Sequence, residues 1–310
     1  MGTRSESGPD RHRSTRPPYA LAVVVGTLLL LVGVAVSAAG VVGDQSSTRA
    51  ARPAPTATGP RTLTASIPDT SAPNTSEPRI VLYGDSLSSE SQGYFAEYLI
   101  RNGVTNVQTR TFGGTALCDY LDAMRQDAAA LDPTAVVIEF SGNAFTPCMQ
   151  NADGTPPTPD QYFDRYRDAA TEALRIFAPS GTHVYFVGTP INRHAAETHD
   201  PNAGLLNHLY ASLSTLGLST YVDAGAAVLD HGHWTQTLPC LSDEPCEGPT
   251  DTNGTPTNVV RAPDGGHFCP GAPDAVRGVT NGCPVWSSGA FRFGNAMAAP
   301  VLQAVTANRQ

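Results

Sequence analysis

The sequence predicts an α/β domain of three layers, with a central parallel sheet and helices on both of its faces. From residue 79 onward, short apolar runs alternate with longer segments whose apolar residues recur at helical spacing. This alternation is typical of βαβ units. Three of the apolar runs end directly in motifs that contain Ser, Gly or Asn. Because ligands bind beyond the carboxyl ends of parallel strands, we expect the functional site at this edge of the sheet.

Five strands are predicted from short apolar or β-branched runs that end at turn residues. The first run ends at Gly84, the second alternates loosely before a Gly-Gly pair, and the third (TAVVIEF) has the strongest strand composition. The fourth (HVYFV) ends at a glycine and the fifth is the shortest. The predicted strands cover residues 80–83, 104–111, 134–140, 183–187 and 219–222.

The intervening helices are predicted from apolar residues three and four positions apart. The clearest pattern places Tyr162, Phe163 and Tyr166 on one face, and we expect this aromatic face to pack in the core. No internal repeat or sustained heptad is present, which excludes a long coiled coil. The predicted helices cover residues 91–101, 118–131, 160–177, 205–216 and 289–307.

The charge of the chain excludes one class of partner. Only 15% of the 310 residues are charged, the net charge is −9, and every basic residue is arginine. Residues 44–310 carry 15 arginines against 26 acidic residues. A surface of this sign repels polyanions, so we expect no nucleic-acid partner.

The N-terminal region contains a run of 23 residues without charge, 20–42, which is rich in Leu, Val, Ala and Gly. Such a run is long enough to span the hydrocarbon core of a bilayer. Arg11, Arg13 and Arg16 precede it, so the positive-inside rule places the N-terminus in the cytoplasm. A cleaved signal peptide, with small residues at 36–38, is the alternative.

The chain is therefore divided into a cytoplasmic tail (1–18), a transmembrane signal-anchor (19–43), a linker (44–78) and a folded domain (79–310). The linker has six prolines and almost no large apolar residue, so it cannot form a core. This organisation predicts a single-pass protein of the cell membrane with its domain outside the cytoplasm, or a secreted protein if the segment is cleaved.

The first motif of chemical interest, Gly84-Asp85-Ser86-Leu87, follows the first strand. A serine in a tight strand-to-helix turn can present its hydroxyl at the sheet edge, where the N–H groups of the following helix can stabilise an oxyanion. Ser86 is therefore a candidate nucleophile. The alternative is that Ser86 only caps the helix.

The second motif, Asp264-Gly265-Gly266-His267, lies near the C-terminus. An Asp three residues before a His can orient the imidazole, while the other ring nitrogen takes a proton from a serine. A solvated turn is the alternative. Asp223, which ends the fifth strand, is a rival carboxylate for His267.

Two further strand ends offer donors to a developing negative charge. Asn143, after the third strand, can supply its side-chain amide, and Gly114 or Gly113, after the second, can supply a backbone N–H at close range. An Asn turn and a simple loop hinge are the alternatives.

Taken together, the order Ser86, Gly114, Asn143 and then Asp264-x-x-His267 resembles the SGNH (or GDSL) hydrolase family over residues 79–307. The resemblance implies a flavodoxin-like α/β/α fold, with Ser86 as nucleophile, His267 as general base and Asp264 as its orienting carboxylate. It also implies Gly114, Asn143 and the Ser86 N–H as oxyanion donors.

The chain departs from the family where Ala144 follows Asn143, because the third family motif often has Asp there. The chain is most similar to the secreted branch with extra cysteines, some members of which are linked to acyltransferase modules.

All six cysteines lie after residue 117 and show no metal-site spacing, which is consistent with export. We expect the pairing that is local in sequence. One bridge would then connect the two predicted oxyanion loops, and another would close the loop beside His267. The predicted pairs are Cys118–Cys148, Cys240–Cys246 and Cys269–Cys283.

These observations predict a serine esterase outside the cytoplasm that cleaves O-acetyl or other short acyl esters on cell-envelope glycans or small molecules, without metal or cofactor. An O-acyltransferase with the same residues and a non-catalytic glycan-binding domain are the alternatives.

Other residues receive weaker interpretations. His231 and His233 lack an obvious third metal ligand, and Trp234 and Trp286 are sugar platforms or loop anchors.

Overall fold

The computed structural model describes residues 77–217, 219–269, 282–283 and 285–307. The predicted cytoplasmic tail, the predicted membrane-spanning segment and nearly all of the predicted linker lie outside these residues. None of the helices in the described ranges is both long enough and apolar enough to cross a membrane.

A five-stranded parallel sheet forms the centre of the described domain, and its strand order is β2-β1-β3-β4-β5. This is the flavodoxin-like order, so the predicted α/β fold with a central parallel sheet is confirmed. The order reverses between β1 and β3, and the crevice at such a reversal is where ligands bind in this class of fold. The strands are β1 Arg79–Gly84, β2 Asn106–Thr111, β3 Ala135–Glu139, β4 His183–Val187 and β5 Ser219–Val222.

Helices cover both faces of the sheet. Helices α1 and α6 pack on one face, and α2, α3 and α5 pack on the other. Along β1, Ile80 and Leu82 face the first layer while Val81 and Tyr83 face the second, as the two-residue period of a strand requires. The helices are α1 Ser86–Arg101, α2 Leu121–Leu131, α3 Pro159–Phe177, α4 Arg193–Thr198, α5 Leu205–Leu213 and α6 Ser288–Ala307.

Three of the predicted helix boundaries were wrong. Helix α1 begins at Ser86, five residues before the predicted start, because its polar first turn carries no apolar period and is stabilised by the Asp85 cap. The predicted helix 118–131 begins with a 3₁₀ turn, Leu117–Tyr120. The predicted helix 205–216 ends at Leu213 and continues as a 3₁₀ turn.

Several short elements were not predicted. Helix α4 has six residues, too few for a periodic pattern to be recognised. Two small antiparallel pairs lie between β5 and α6. They are β6 Leu229–Asp230 with β7 His233–Trp234, and β8 Thr237–Pro239 with β9 Thr257–Val259.

The three predicted disulfides are confirmed, and they leave no cysteine free. Cys118–Cys148 joins the segment after β2 to the segment after β3. Cys269–Cys283 starts two residues after His267 and connects the His267 loop to the segment before α6. Two of the three bridges therefore hold segments that follow the predicted site residues.

Candidate active site

The predicted nucleophile, Ser86, is the first residue of α1 and follows β1 after a single residue, Asp85. The turn is so tight that a Cβ on Gly84 would lie 2.2 Å from the Ser88 Oγ, so only glycine fits there. Asp85, not Ser86, caps the helix, because its Oδ1 accepts the N–H of Leu87 at 3.1 Å. The Ser86 hydroxyl is therefore not used as the cap.

The predicted base and its carboxylate meet Ser86 across 181 residues of sequence. The His267 Nε2 lies 2.9 Å from the Ser86 Oγ, and the His267 Nδ1 lies 2.6 Å from the Asp264 Oδ2. The other carboxylate oxygen of Asp264 accepts the backbone N–H groups of Gly266 and His267, at 2.9 and 3.0 Å. The carboxylate thus fixes both the loop and the ring, and it is Asp264 rather than the rival Asp223 that contacts the imidazole.

The pKa shifts suit a serine–histidine proton transfer. Burial acts to raise the pKa of Asp264, but the hydrogen bonds from His267 and Gly266 outweigh it and lower that pKa to about 2. Burial acts to lower the pKa of His267, but the bond to Asp264 and the charges of Glu90, Asp264 and Asp85 raise it above the ordinary value. Because Asp264 is ionised, Nδ1 carries the proton in the neutral ring, and Nε2 is the acceptor for the Ser86 hydroxyl.

The predicted oxyanion residues lie in the Gly113-Gly114 turn after β2 and in the segment after β3. A Cβ on Gly113 would lie 3.6 Å from the Ser86 Cβ, and Gly114 has φ of +82°, a left-handed conformation that favours glycine. The Asn143 Nδ2 donates to the Asp85 Oδ2 and to the Thr115 carbonyl, both at 3.0 Å. The amide therefore bridges the nucleophile turn and the glycine turn, and an oxyanion would compete with these acceptors for it.

Asp85 organises this half of the site, a role that the sequence analysis did not assign. Its side chain is fully buried. Besides Asn143, its Oδ2 accepts the backbone N–H and the hydroxyl of Ser141, both at 2.7 Å. Burial raises the pKa of Asp85, but the bonds from Ser141 and Leu87 oppose this rise and favour the ionised form. One carboxylate thus connects the end of β1 to the segment after β3.

A second buried carboxyl group, Glu139, lies at the end of β3. Its Oε2 accepts the N–H and the hydroxyl of Ser88, at 3.0 and 2.6 Å, while its Oε1 has no hydrogen-bond partner within the described protein. Burial and the nearby charge of Asp85 raise the pKa of Glu139 well above the ordinary value. Asp85 has four donors and Glu139 has only Ser88, so of these two carboxyl groups Glu139 retains its proton to higher pH.

Glu90 contacts the His267 loop from the nucleophile helix. It is four residues after Ser86 and therefore on the same side of α1. Its Oε2 accepts the backbone N–H groups of Phe268 and Cys269, at 2.7 and 3.3 Å. Burial raises the pKa of Glu90, while the Phe268 N–H and the charge of His267 lower it. Glu90 thus fixes the base relative to the nucleophile, a role that no local sequence pattern indicates.

Three further side chains hold the same loop from outside. The Arg261 Nη1 donates to the Gly266 carbonyl at 3.0 Å, and the Trp234 indole donates to the Gly265 carbonyl at 3.0 Å. The Arg193 guanidinium lies over the Trp234 ring, 4.6 Å from its centroid, and the backbone N–H of Arg193 donates to the Gly265 carbonyl. Trp234 is therefore a loop anchor.

The remaining predictions have mixed outcomes. Tyr166 is buried and Tyr162 packs against the same core, but Phe163 lines a cavity, so the prediction that this whole aromatic face is core was wrong for Phe163. Trp286 packs beside the core on the α1 and α6 face. A metal site at His231 and His233 would need a third ligand close to them. Among the described residues, no group of three metal-ligating side chains occurs.

The motifs that predicted the resemblance therefore meet at one edge of a flavodoxin-like sheet, and the protein has the fold and the site of an SGNH-type ester hydrolase. Residues 79–274 match the family described as a protein of unknown function, DUF459. Because this match covers more than half of the chain, the chain belongs to that family. No curated protein matches the sequence.

Solved structures with a similar fold share little sequence with this chain. A GDSL-like lipase from Bacteroides thetaiotaomicron is 14% identical, with a TM-score of 0.43, and the match covers 74% of this chain and 89% of the lipase. A catalytic mutant of Axe2, an acetylxylan esterase from Geobacillus stearothermophilus, is 15% identical, with a TM-score of 0.39. That match covers 49% of this chain and 78% of the esterase.

Proposed function

We propose that this protein is a serine esterase that hydrolyses short acyl esters, O-acetyl esters foremost, through an acyl-enzyme on Ser86. The observation that carries the proposal is the continuous series of contacts from the Ser86 Oγ through both nitrogens of His267 to Asp264. A serine hydroxyl is a weak nucleophile until a base removes its proton, and this arrangement supplies that base in the correct tautomer.

In the first half-reaction, His267 accepts the Ser86 proton while the Oγ forms a bond to the ester carbonyl carbon. The carbonyl π electrons move onto its oxygen. When this intermediate collapses, the bond to the alcohol oxygen breaks, and that oxygen takes the proton from His267. A water molecule then repeats the sequence on the acyl-enzyme, releasing the acid and restoring Ser86.

The developing oxyanion needs donors that are fixed before the reaction. The Ser86 N–H at the start of α1, the Gly113-Gly114 turn and the Asn143 amide are the donors that we propose. The Tyr166 hydroxyl donates to the Asn143 carbonyl at 2.9 Å, and the Cys118–Cys148 bridge connects the two loops. Such constraints hold the donors beside Ser86, and the Asn143 amide must exchange only one of its two acceptors for the oxyanion.

We also propose that the enzyme acts outside the cytoplasm on acylated cell-envelope glycans. Three disulfides support an oxidising compartment, and the charge-free run 20–42 behind three arginines supports membrane attachment. The proline-rich linker would place the domain within reach of glycans near that membrane.

The test is covalent labelling together with turnover. A fluorophosphonate probe is expected to label the wild type at Ser86, and Ser86→Ala is expected to lose both labelling and p-nitrophenyl acetate hydrolysis by about 10⁴-fold or more. Ser89→Ala, on the same helix, is the matched control and keeps both. Retained turnover in Ser86→Ala would overturn the mechanism. An absence of labelling in the wild type would favour a non-catalytic binding domain.

A further inference from the structure

A cavity of about 400 Å³ lies at the carboxyl edge of the sheet, between the segments that follow β3 and β4. Its volume is within the usual range for small-molecule sites, about 300–1,000 Å³. On the β3 side it is lined by Ser141 and Gly142, and on the β4 side by Ile191, Asn192 and Ala195.

Both sides of this cavity are bonded to the catalytic segments. On the β3 side, Ser141 donates to Asp85, the residue directly before Ser86. On the β4 side, the Arg261 Nη2 donates to the Ile191 carbonyl at 3.1 Å, and Arg261 also binds Gly266, the residue before His267. The cavity is therefore held between the nucleophile turn and the loop of the base.

The position of the cavity indicates which part of an ester substrate it would bind, the acyl part or the alcohol part. The acyl oxygen must point toward the oxyanion donors on the Gly113-Gly114 and Asn143 side. The alcohol oxygen must lie near His267, because that ring returns the proton to it. The β4 side of the cavity is bonded to the His267 loop, so the cavity lies where the alcohol portion of the substrate extends.

The lining indicates the chemistry of that alcohol. It combines amides, hydroxyls and a carboxylate with the rings of Tyr162 and Phe163. A long hydrocarbon would cover these polar groups and remove them from water without offering them a hydrogen bond, at a cost in free energy. Asp200 is the only charged side chain among the described residues that line the cavity, so an anionic alcohol would meet a like charge and no compensating cation.

We propose that this cavity binds the alcohol portion of the ester, and that this portion is a neutral, hydroxyl-rich unit of the size of a sugar ring. The ring hydroxyls find amide and carboxylate partners, and the apolar face of the ring packs on the aromatic side chains. This inference rests on the proposed esterase function and adds the cavity that binds the sugar unit and the requirement that this unit is neutral.

The experiment compares two acetate esters that differ only in the alcohol. Acetate release is measured from methyl 6-O-acetyl-glucopyranoside and from ethyl acetate. Ala195→Phe fills the cavity and is expected to lower kcat/KM for the sugar ester at least tenfold, while the value for ethyl acetate stays within twofold. Ala196→Phe is the matched control, because Ala196 is the next residue of α4 and does not line the cavity.

A second variant tests the charge without filling the cavity. The Asp200 Oδ1 accepts the Asn202 N–H at 2.9 Å, and Asp200→Asn preserves this acceptor. The wild type is expected to prefer methyl 3-O-acetyl-glucopyranoside over methyl 3-O-acetyl-glucopyranosiduronate, which differ only in the charge at C6, and Asp200→Asn is expected to reduce that preference at least threefold.

The outcomes separate the two proposals. If Ala195→Phe affects both esters equally or neither, or if Asp200→Asn leaves the preference unchanged, the cavity does not bind the alcohol and this inference is overturned. If the wild type hydrolyses neither ester, the esterase function itself fails. Normal ethyl acetate turnover in Ala195→Phe shows that the variant is folded.

Discussion

The two halves of the candidate site are built in opposite ways. The nucleophile half is part of the sheet interior, where Asp85 and Glu139 are fully buried at the ends of neighbouring strands. The base half is a surface loop, where the side chains of His267 and Asp264 are 42% and 54% exposed. The first half is positioned by the strands themselves, whereas the second depends on side chains from several other elements.

This difference separates activity from stability. Substitutions of the buried residues next to the nucleophile alter a hydrogen-bonded network, so we expect them to lower both stability and turnover. Substitutions that release the base loop alter contacts at a partly exposed surface, so we expect them to affect turnover with little loss of stability.

Apart from the loss of Ser86 itself, the largest expected effect is on the oxyanion side of the nucleophile half. Asn143→Ala should lower kcat for p-nitrophenyl acetate by about 10²–10³-fold, because one preorganised donor is lost. Asn151→Ala is the matched control, since the Asn151 side chain bonds to Thr155, Pro156 and Arg165 and to none of the site residues. An unaltered kcat in Asn143→Ala would remove this residue from the oxyanion site.

In the base half, Glu90→Ala should lower kcat/KM by about 10–100-fold with a small change in melting temperature, because Phe268 and Cys269 lose their acceptor and the ring shifts. Glu90→Gln retains an acceptor oxygen and should recover most of this loss at alkaline pH. If Glu90→Ala unfolds the protein instead, the proposed division between the halves is wrong.

The pH profile isolates the charge of Glu90 from its geometry. The base must be neutral, so kcat/KM should rise with pH through an apparent pKa above the ordinary histidine value of about 6.5. Glu90→Gln removes one of the charges that raise the pKa of His267, so its profile should move to lower pH. Glu97→Gln, at the exposed Glu97–Arg101 ion pair of the same helix, should leave the profile unchanged. A Glu90→Gln profile that coincides with the wild type would contradict this electrostatic role.

The last prediction concerns the stability of the buried half, and turnover is not at its centre. Because the folded-state pKa of Glu139 is raised, the folded protein keeps a proton that the unfolded chain releases above pH of about 4.3. Because of this group, the free energy of unfolding of the wild type should fall by up to about 1.4 kcal/mol for each unit of rising pH in that range. The free energy of unfolding of Glu139→Gln should not show this fall. Chemical denaturation of both proteins from pH 4 to 7 measures the divergence. Parallel curves would mean that Glu139 is ionised in the folded state.

The sheet and the triad could be predicted because their signals are local. Strands buried on both faces appear as continuous apolar runs, and Ser86, Asn143 and Asp264-x-x-His267 stand next to strand ends or in one short motif. The supports of the base could not be predicted. Glu90 binds backbone N–H groups 178 residues away, and such a contact leaves no pattern in side-chain chemistry. The cavity was missed for the same reason, since its sides come from segments far apart in sequence.

Asp85 has a consequence for how this protein can diversify. One carboxylate both starts the nucleophile helix and fixes Ser141 and Asn143, so the reacting serine and its amide partner cannot drift independently during evolution. Mutations that retarget the enzyme are therefore confined to the outer segments, such as those around Asp200 and α4, where sequence can vary without disturbing the chemistry. Among relatives with different substrates, we expect the Asp85 connections to be retained while those outer segments diverge.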